Sequence, residues 1–440
     1  MAEDVKVPEG WRRVRLGEIA KVVSGFGFPT KYQGRDSGDY PFIKVEDLNR
    51  ASKYIISADN YIDKATVDLL KAKIFPPRTI IFPKIGMALY HNKYRILKVF
   101  GTFDNNIAGI ILTKGSSEFL YYYFLWTVDL KRIAGETAVP SVKKSSLELI
   151  PIIFPPLPEQ RKIAEILETV DNAIEKTDRI IEKYKRIKQG LMQDLLTRGI
   201  AESNELGVMS YELRDEKKHR FWDSPLGRIP EEWEVVELGD VANVKRGASP
   251  RPIDNPVYFS EGGRGWVRIL DVTSSNKYLK RTTQYLSPIG EQKSVKVEPN
   301  ELIMSICATI GKPTIVKIPA CIHDGFVVFK NLSSQVGVEY LFYYLTFKEK
   351  DFQEKGQIGT QGNLNSSLVS SFKLLKPPLP EQHRIASILS QIDEVIEKEQ
   401  KYKEKLERIK KGLMEDLLMG KVRVNHLIEE NKSLEGVENV

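Results

Sequence analysis

The sequence predicts a mixed α/β (α+β) fold made twice: two globular domains separated by an antiparallel pair of long helices, in a pseudo-two-fold tandem repeat. Three observations carry this expectation. Short motifs recur at a constant offset of 222 residues. Between them, short β-branched and aromatic runs alternate with turn residues, as strands do. Two proline-free segments of about 40 residues carry a heptad apolar pattern.

The repeat comes first, because missing it would misread the whole fold. Pro8-Glu-Gly-Trp11 returns as Pro230-Glu-Glu-Trp233, and Leu16-Gly17 returns as Leu238-Gly239. The hexapeptide PPLPEQ at residues 155–160 returns unchanged at 377–382. GLMQDLL at 190–196 returns as GLMEDLL at 412–418. From 155 to 197 the two copies align without a gap and match at 25 of 43 positions. Between the Trp and the hexapeptide they drift: the run from Phe42 to Asp47 answers Trp266 to Asp271 at an offset of 224. Two scaffold portions have stayed alike while two globular portions have diverged.

Residues 80–82, 107–112, 302–306 and 326–329 read as strands, and 119–126 and 338–347 as short aromatic helices packed into a core. After each hexapeptide a long helix is expected, running to Leu196 and Leu418. Pro158 and Pro380 fit a first turn, where the missing N–H does no harm. One seam position carries Ile163, Val170, Tyr184 and Leu191, and its partner carries Ile166, Ala173, Ile180 and Ile187. Leu167, Ile174 and Ile181 widen the stripe. The second copy offers Ile385, Ile392, Leu406 and Leu413 with Ile388, Val395, Tyr402 and Ile409. Each helix is about 57 Å long at 1.5 Å per residue and needs a partner for its stripe. Gly190 and Gly412 fall inside the pattern, where glycine marks a close helix contact or a kink. The expected domains are residues 1–156 and 230–378, the long helices 157–198 and 379–420, a linker over 199–229 and a tail over 421–440. The polar stretch 201–218 supports the linker.

The formal net charge is +7, and its placement matters. Residues 1–156 hold 23 Lys and Arg against 16 Asp and Glu, and residues 234–376 hold 18 against 14. The basic excess sits on the globular parts, which points to a polyanionic partner. No run of ~18 apolar residues offers a membrane span. The first ten residues lack the apolar core of a signal peptide. Cys307 and Cys321 are expected to be reduced thiols, and the compartment cytoplasmic.

Chemistry-bearing motifs are scarce. Residues 308–312 lack the first glycine and the hydroxyl of a phosphate loop, and Gly25-Phe-Gly27 runs straight into Pro29. His91, His219, His323, His383 and His426 are scattered without metal-ligand spacing. His323-Asp324 stands alone, and neither an amino-methyltransferase tetrapeptide nor a clear nuclease cluster is present.

The twice-present series of Trp, Leu-Gly, variable region, PPLPEQ and a helix ending in GLMxDLL resembles the specificity (S) subunit of type I restriction-modification systems. The likeness runs from about Trp11 to Val424, and the join from Phe221 to Trp233 shares it. It implies a chain that does no chemistry alone. Two target-recognition domains each read half of a bipartite site in double-stranded DNA, and the helices set the spacer. Those helices also dock two methyltransferase subunits, through which restriction (translocase) subunits join. S-adenosylmethionine, ATP and Mg²⁺ then belong to those partners, and the chain itself has neither cofactor nor metal.

Base readout and phosphate contact call for basic and amide side chains on loops. The first domain offers Lys31, Tyr32, Lys44, Lys84, Lys93, Asn105, Asn106, Lys143 and Lys144. The second offers Lys245, Arg246, Arg251, Arg264, Arg268, Lys312, Thr360, Gln361 and Asn363. Two rival readings share these features. One is a scaffold that binds nucleic acid without sequence preference, and the other is a nuclease or methyltransferase hidden in the divergent domains.

Overall fold

The computed structural model describes residues 7–134, 139–205, 208–357 and 364–428. The chain divides into two compact units, Met1–Asp178 with Lys401–Val440, and Arg179–Gln400. The divisions fall inside both long helices, so each unit holds a piece of each.

In the first unit a five-stranded sheet runs in the order Ala20–Ser24, Ile107–Leu112, Ile80–Pro83, Arg95–Leu97, Tyr54–Ile55. Ile80 and Phe82 face one core and Ile81 faces another, so both sides of this strand are covered. That is why its sequence is a continuous apolar run. On one side lies the helix Ser117–Thr127, whose Phe119, Leu120, Tyr122, Tyr123 and Phe124 are fully buried. On the other lies a smaller sheet of Tyr61–Ile62, Tyr40–Ile43 and Thr102–Phe103. Arg12–Arg15 pairs with Pro151–Phe154, closing the domain just before the hexapeptide.

The second unit repeats this order with Asn243–Arg246, Phe326–Lys330, Leu302–Ser305, Pro313–Val316 and Tyr278–Leu279. The helix Val338–Phe347 covers one side, and Glu234–Glu237 pairs with Lys373–Lys376. Its second sheet has grown to five strands: Phe259–Ser260, Gln284–Leu286, Arg264–Val267, Ala320–Ile322 and Val295–Val297.

The long helices span Leu157–Thr197 and Leu379–Leu418. Within each unit the two pieces run antiparallel. In the first, Ile163, Ala164 and Leu167 share a core with Met414, Leu417 and Leu418. Asp171 meets Lys410 at 2.6 Å and Asp178 meets Lys403 at 2.7 Å. In the second, Met192, Leu195 and Leu196 share a core with Ile385, Ala386 and Leu389, and Lys188 meets Asp393 at 2.6 Å. Gly199 and Gly420, at φ +65° and +68°, carry the chain out of the two helices in the left-handed conformation that glycine adopts without cost.

Four details depart from the sequence-based expectation. The buried partner of Ile163 is Leu167, four residues on, and Thr177 and Ile181 continue that pairing. The row through Ile166, Ala173 and Ile180 is only half-buried. Farther along, Ile187, Tyr402 and Ile409 are exposed. Gly190 and Gly412 mark no close contact: a Cβ on either meets nothing within 4 Å. The stretch read as a linker forms two hairpins, Ile200–Glu205 with Val208–Leu213 and Phe221–Ser224 with Gly227–Pro230. Short hairpins with little buried face carry no apolar signature, so nothing in the sequence announced them. Of the expected tail, residues 421–428 are tied down: Val424 is buried in the first unit's core and Leu427 packs on it.

The hexapeptide organises both units. Glu159, 2% exposed, accepts from the Trp11 indole at 2.8 Å and from Arg423 at 2.7 and 2.9 Å. Glu381 likewise accepts from the Trp233 indole at 3.0 Å, from the Ile200 amide at 2.9 Å and from both terminal nitrogens of Arg214. Gln160 and Gln382, both fully buried, take the amides of Ser116 and Gly337 and donate to the carbonyls of Pro155 and Pro377.

Glu381→Ala should cost about 3 kcal/mol in equilibrium unfolding, because it leaves Arg214 buried with only the more distant Glu232, at 3.8 Å, as counter-ion. Gly190→Ala and Gly412→Ala, with open space at the Cβ, should each stabilise by about 0.5–1 kcal/mol in urea titration.

Candidate nucleic-acid interface

In the first domain the strand Ala20–Ser24 ends against a loop, Asp104-Asn105-Asn106. Gly25 lies so close to it that a Cβ would sit 2.0 Å from the Asp104 carbonyl oxygen, which excludes any other residue. The Gly25 amide bonds Ile107 O at 3.1 Å and the Phe26 amide bonds Phe103 O at 2.8 Å. The loop is braced from three directions. Its Asp104 amide bonds Ile43 O, its Asn106 carbonyl accepts from the Lys84 amide, and Lys84 O accepts from the Val142 amide. The Lys84 ammonium donates to Ser24 Oγ at 2.9 Å. These bonds bring Lys44, Lys84, Asn105, Asn106 and Lys143 around one place, with both asparagines exposed.

The second domain builds the same frame with different side chains. The Gly247 amide bonds Phe326 O, the Ala248 amide bonds Ile322 O, and the Leu364 amide bonds Ile306 O. A Cβ on Gly247 would lie 2.1 Å from the His323 carbonyl oxygen. His323-Asp324-Gly325 takes the place of the first domain's loop, around a cleft of about 230 Å³ lined also by Arg246, Cys307 and Leu364. Asp324 accepts from Ser249 at 2.7 Å and Arg251 at 2.9 Å, and Arg246 donates to its carbonyl at 2.8 Å.

The electrostatics suit recognition. Burial pushes the Asp324 carboxyl up, but the Ser249 hydrogen bond and the Arg251 guanidinium outweigh it and hold the group below the ordinary range. Burial and then Arg268 push the His323 imidazole down, so it is neutral at pH 7 and offers one donor and one acceptor. Burial raises the Cys307 thiol, which keeps it from acting as a thiolate beside His323. The outcome is a neutral imidazole, an ionised carboxylate and flanking guanidinium groups on a rigid frame. Such groups can pair with base edges and phosphates.

Other expected residues, Arg268 excepted, lie elsewhere. Lys31 and Tyr32 sit on the exposed turn Thr30–Tyr32, with the ammonium 4.9 Å from the ring centroid. Lys93 is bonded to Asn49 and Lys144 pairs with Glu148. Lys245 is exposed on the strand Asn243–Arg246. Arg264 is held inside the second domain by Glu298 at 2.9 Å and the Val297 carbonyl at 3.1 Å, and Lys312 donates to the Thr273 carbonyl. Arg268 caps the helix Ile269–Ser274 beside His323. Thr360, Gln361 and Asn363 lie outside the described residues. Sequence reasoning missed Ser24, Asp104 and Ser249, and it set His323-Asp324 aside. The signal was available: Gly25 and Gly247 stand 222 residues apart, and each marks the strand end that meets one of these two loops.

Among the described residues, no group of three or more His, Cys, Asp or Glu is placed to hold a metal, and no helix is long and apolar enough to cross a membrane.

The pattern of the family described as "Type I restriction modification DNA specificity domain" matches residues 8–185 and again 230–408. The type I restriction enzyme MjaVIII specificity subunit of Methanocaldococcus jannaschii is 28% identical over 443 residues, covering 96% of this chain and 95% of that one. The fold is shared with the crystal structure of an S subunit from M. genitalium, at a TM-score of 0.60 and 15% identity over 94% of this chain and 96% of that one. It is shared too with a chain from a type I R-M system studied for complex assembly, at a TM-score of 0.56 and 18% identity over 95% of this chain and 100% of that one.

Lys84→Ala and Arg251→Ala should each weaken binding to duplex DNA and lower the slope of log affinity against log salt by about one, the share of a single neutralised phosphate. Titrating affinity between low and moderate salt measures this, and an unchanged slope would remove that residue from the interface.

Proposed function

The chain belongs to the type I restriction-modification DNA specificity family and carries its specificity domain twice; from that premise we propose that each globular domain reads one half of a bipartite site in double-stranded DNA. The observation that carries the proposal is the duplicated loop frame. Gly25 and Gly247 hold equivalent loops against equivalent strands, yet one loop presents Asp104-Asn105-Asn106 and the other His323-Asp324-Gly325. A kept frame with changed donors and acceptors is what two readers of different base sequences need, because sequence is read by hydrogen bonds to base edges.

In this proposal the chain does no chemistry alone. The M. jannaschii relative is named a subunit of a restriction enzyme, which supports an assembly in which other chains react. The long helices set the spacer between the half-sites and dock two methyltransferase subunits, through which restriction subunits join. Adenine methylation and cleavage, with their S-adenosylmethionine, ATP and Mg²⁺, fall to those partners. In this proposal the assembly acts on cellular DNA in the cytoplasm.

Selection of duplexes from a random library by the full chain should return two fixed blocks around an unspecific spacer. Recovery of one uninterrupted block, or of no preference above salt-dependent background, would overturn the proposal. Inserting seven residues in phase into both long helices should lengthen the preferred spacer by about 10 Å, or about three base pairs.

A further inference from the structure

Each unit contains a buried polar joint that the reading loops do not use. Lys53, only 7% exposed, precedes the edge strand Tyr54–Ile55 and points into a cage of rings. Its ammonium lies 4.4 Å from the Tyr122 centroid, 5.0 Å from Tyr54 and 5.4 Å from Tyr121. It donates to the Tyr122 hydroxyl at 3.2 Å and pairs with Glu168 at 3.4 Å. Tyr122 in turn donates to Asp171 at 2.7 Å, and Asp171 holds Lys410 of the opposing helix. One chain of contacts thus ties the domain, its own long helix and the opposing helix of the same unit.

The second unit has the same joint. Lys277, 6% exposed, lies 4.8 Å from the Tyr343 centroid, 5.1 Å from Tyr278 and 5.9 Å from Phe342. Tyr343 donates to Asp393 at 2.7 Å, and Asp393 holds Lys188. The counter-ion has moved. In the first unit it is Glu168 on the long helix, which also accepts from Tyr54. In the second, Ser390 occupies that helix position and accepts from Lys277 at 2.7 Å. The carboxylate is now Glu339, on the aromatic helix, and it accepts from Tyr278.

A lysine is costly to bury, and an apolar side chain would fill the cage more cheaply. Yet both copies keep the buried charge, in domains whose sequences otherwise drifted, and they keep it although its partner changed element. Apolar packing selects a preferred angle of one body on another but leaves a scatter of about 15–20°. A caged cation with directed hydrogen bonds to two helices narrows that scatter. Resting on the bipartite reading above, we propose that Lys53 and Lys277 are positioning residues that fix the angle of each reading domain on its helices and so set how strictly the spacer length is enforced. One base pair changes the separation of two half-sites by about 3.4 Å and their relative rotation by roughly 34°. A domain held rigidly rejects that change, and a domain free to swivel absorbs it.

The test selects duplexes with the full chain from a library in which the spacer length varies between the wild-type half-sites. It compares wild type with Lys53→Met/Lys277→Met, and with Tyr122→Phe/Tyr343→Phe, which keeps the rings and removes only the hydroxyls that reach the helices. Both double variants should keep the half-site sequences while discrimination against a spacer one base pair too long or short falls at least fivefold. Lys53→Arg/Lys277→Arg, which preserves the cation, should restore most of it. Should the lysine variant not fold, the tyrosine variant carries the same prediction. Unchanged spacer discrimination in a folded variant would overturn the proposal, and so would joint loss of half-site and spacer preference, which marks a folding role only. If wild type selects no two-part site, the bipartite reading fails first and this inference with it, a result distinct from failure in the variants alone.

Discussion

A buried carboxylate at the start of each long helix is the constraint on which the rest of the architecture depends. Glu159 and Glu381 sit where the chain leaves a globular domain and enters a helix. Each takes the indole N–H of the tryptophan that opens its domain and the guanidinium of an arginine that follows the opposing helix. A carboxylate so enclosed is tolerable only with all its donors in place. The beginning of the domain, its end and the segment beyond the opposing helix must therefore meet at that point. The adjacent glutamine fastens the aromatic helix to the same place through Ser116 or Gly337. This explains why PPLPEQ is identical in both copies.

Variation is admitted beyond that anchor. The two loops Asp104-Asn105-Asn106 and His323-Asp324-Gly325 hang from the same backbone hydrogen bonds, and those bonds ask nothing of the side chains that face outward. Gly25 and Gly247 are exceptions because a neighbouring carbonyl occupies the space of a Cβ. The second domain could add two strands to its lesser sheet and exchange an asparagine-bearing loop for His323-Asp324-Gly325 without touching the frame. Its Asp324 is also tied to Ser249 and Arg251, which fixes the positions of the loop's donors and acceptors.

Sequence and structure part company where burial is decided by a neighbour. Heptad counting found the apolar stripe on each helix, but Ile166 and Leu167 are equally apolar, and only the packed core shows that Leu167 is fully buried while Ile166 is not. Gly190 and Gly412 looked meaningful inside a helical pattern and face open space. Arg264, a candidate for DNA by residue type, is committed to Glu298 and a carbonyl within its own domain.

By itself the sequence determined the duplication, the main strands and aromatic helices of each domain, the long helices and the family. These follow from local periodicity and from motifs short enough to read in one dimension. Tertiary structure decided which basic residues gather at a loop, which row of a helix is buried, and that Lys53 and Lys277 serve as internal joints. Those outcomes depend on contacts between residues far apart in the chain, such as Lys53 with Asp171 through Tyr122, or Glu381 with Arg214. A lysine on a turn and a lysine in an aromatic cage have the same one-letter code, and only the packed neighbours distinguish them.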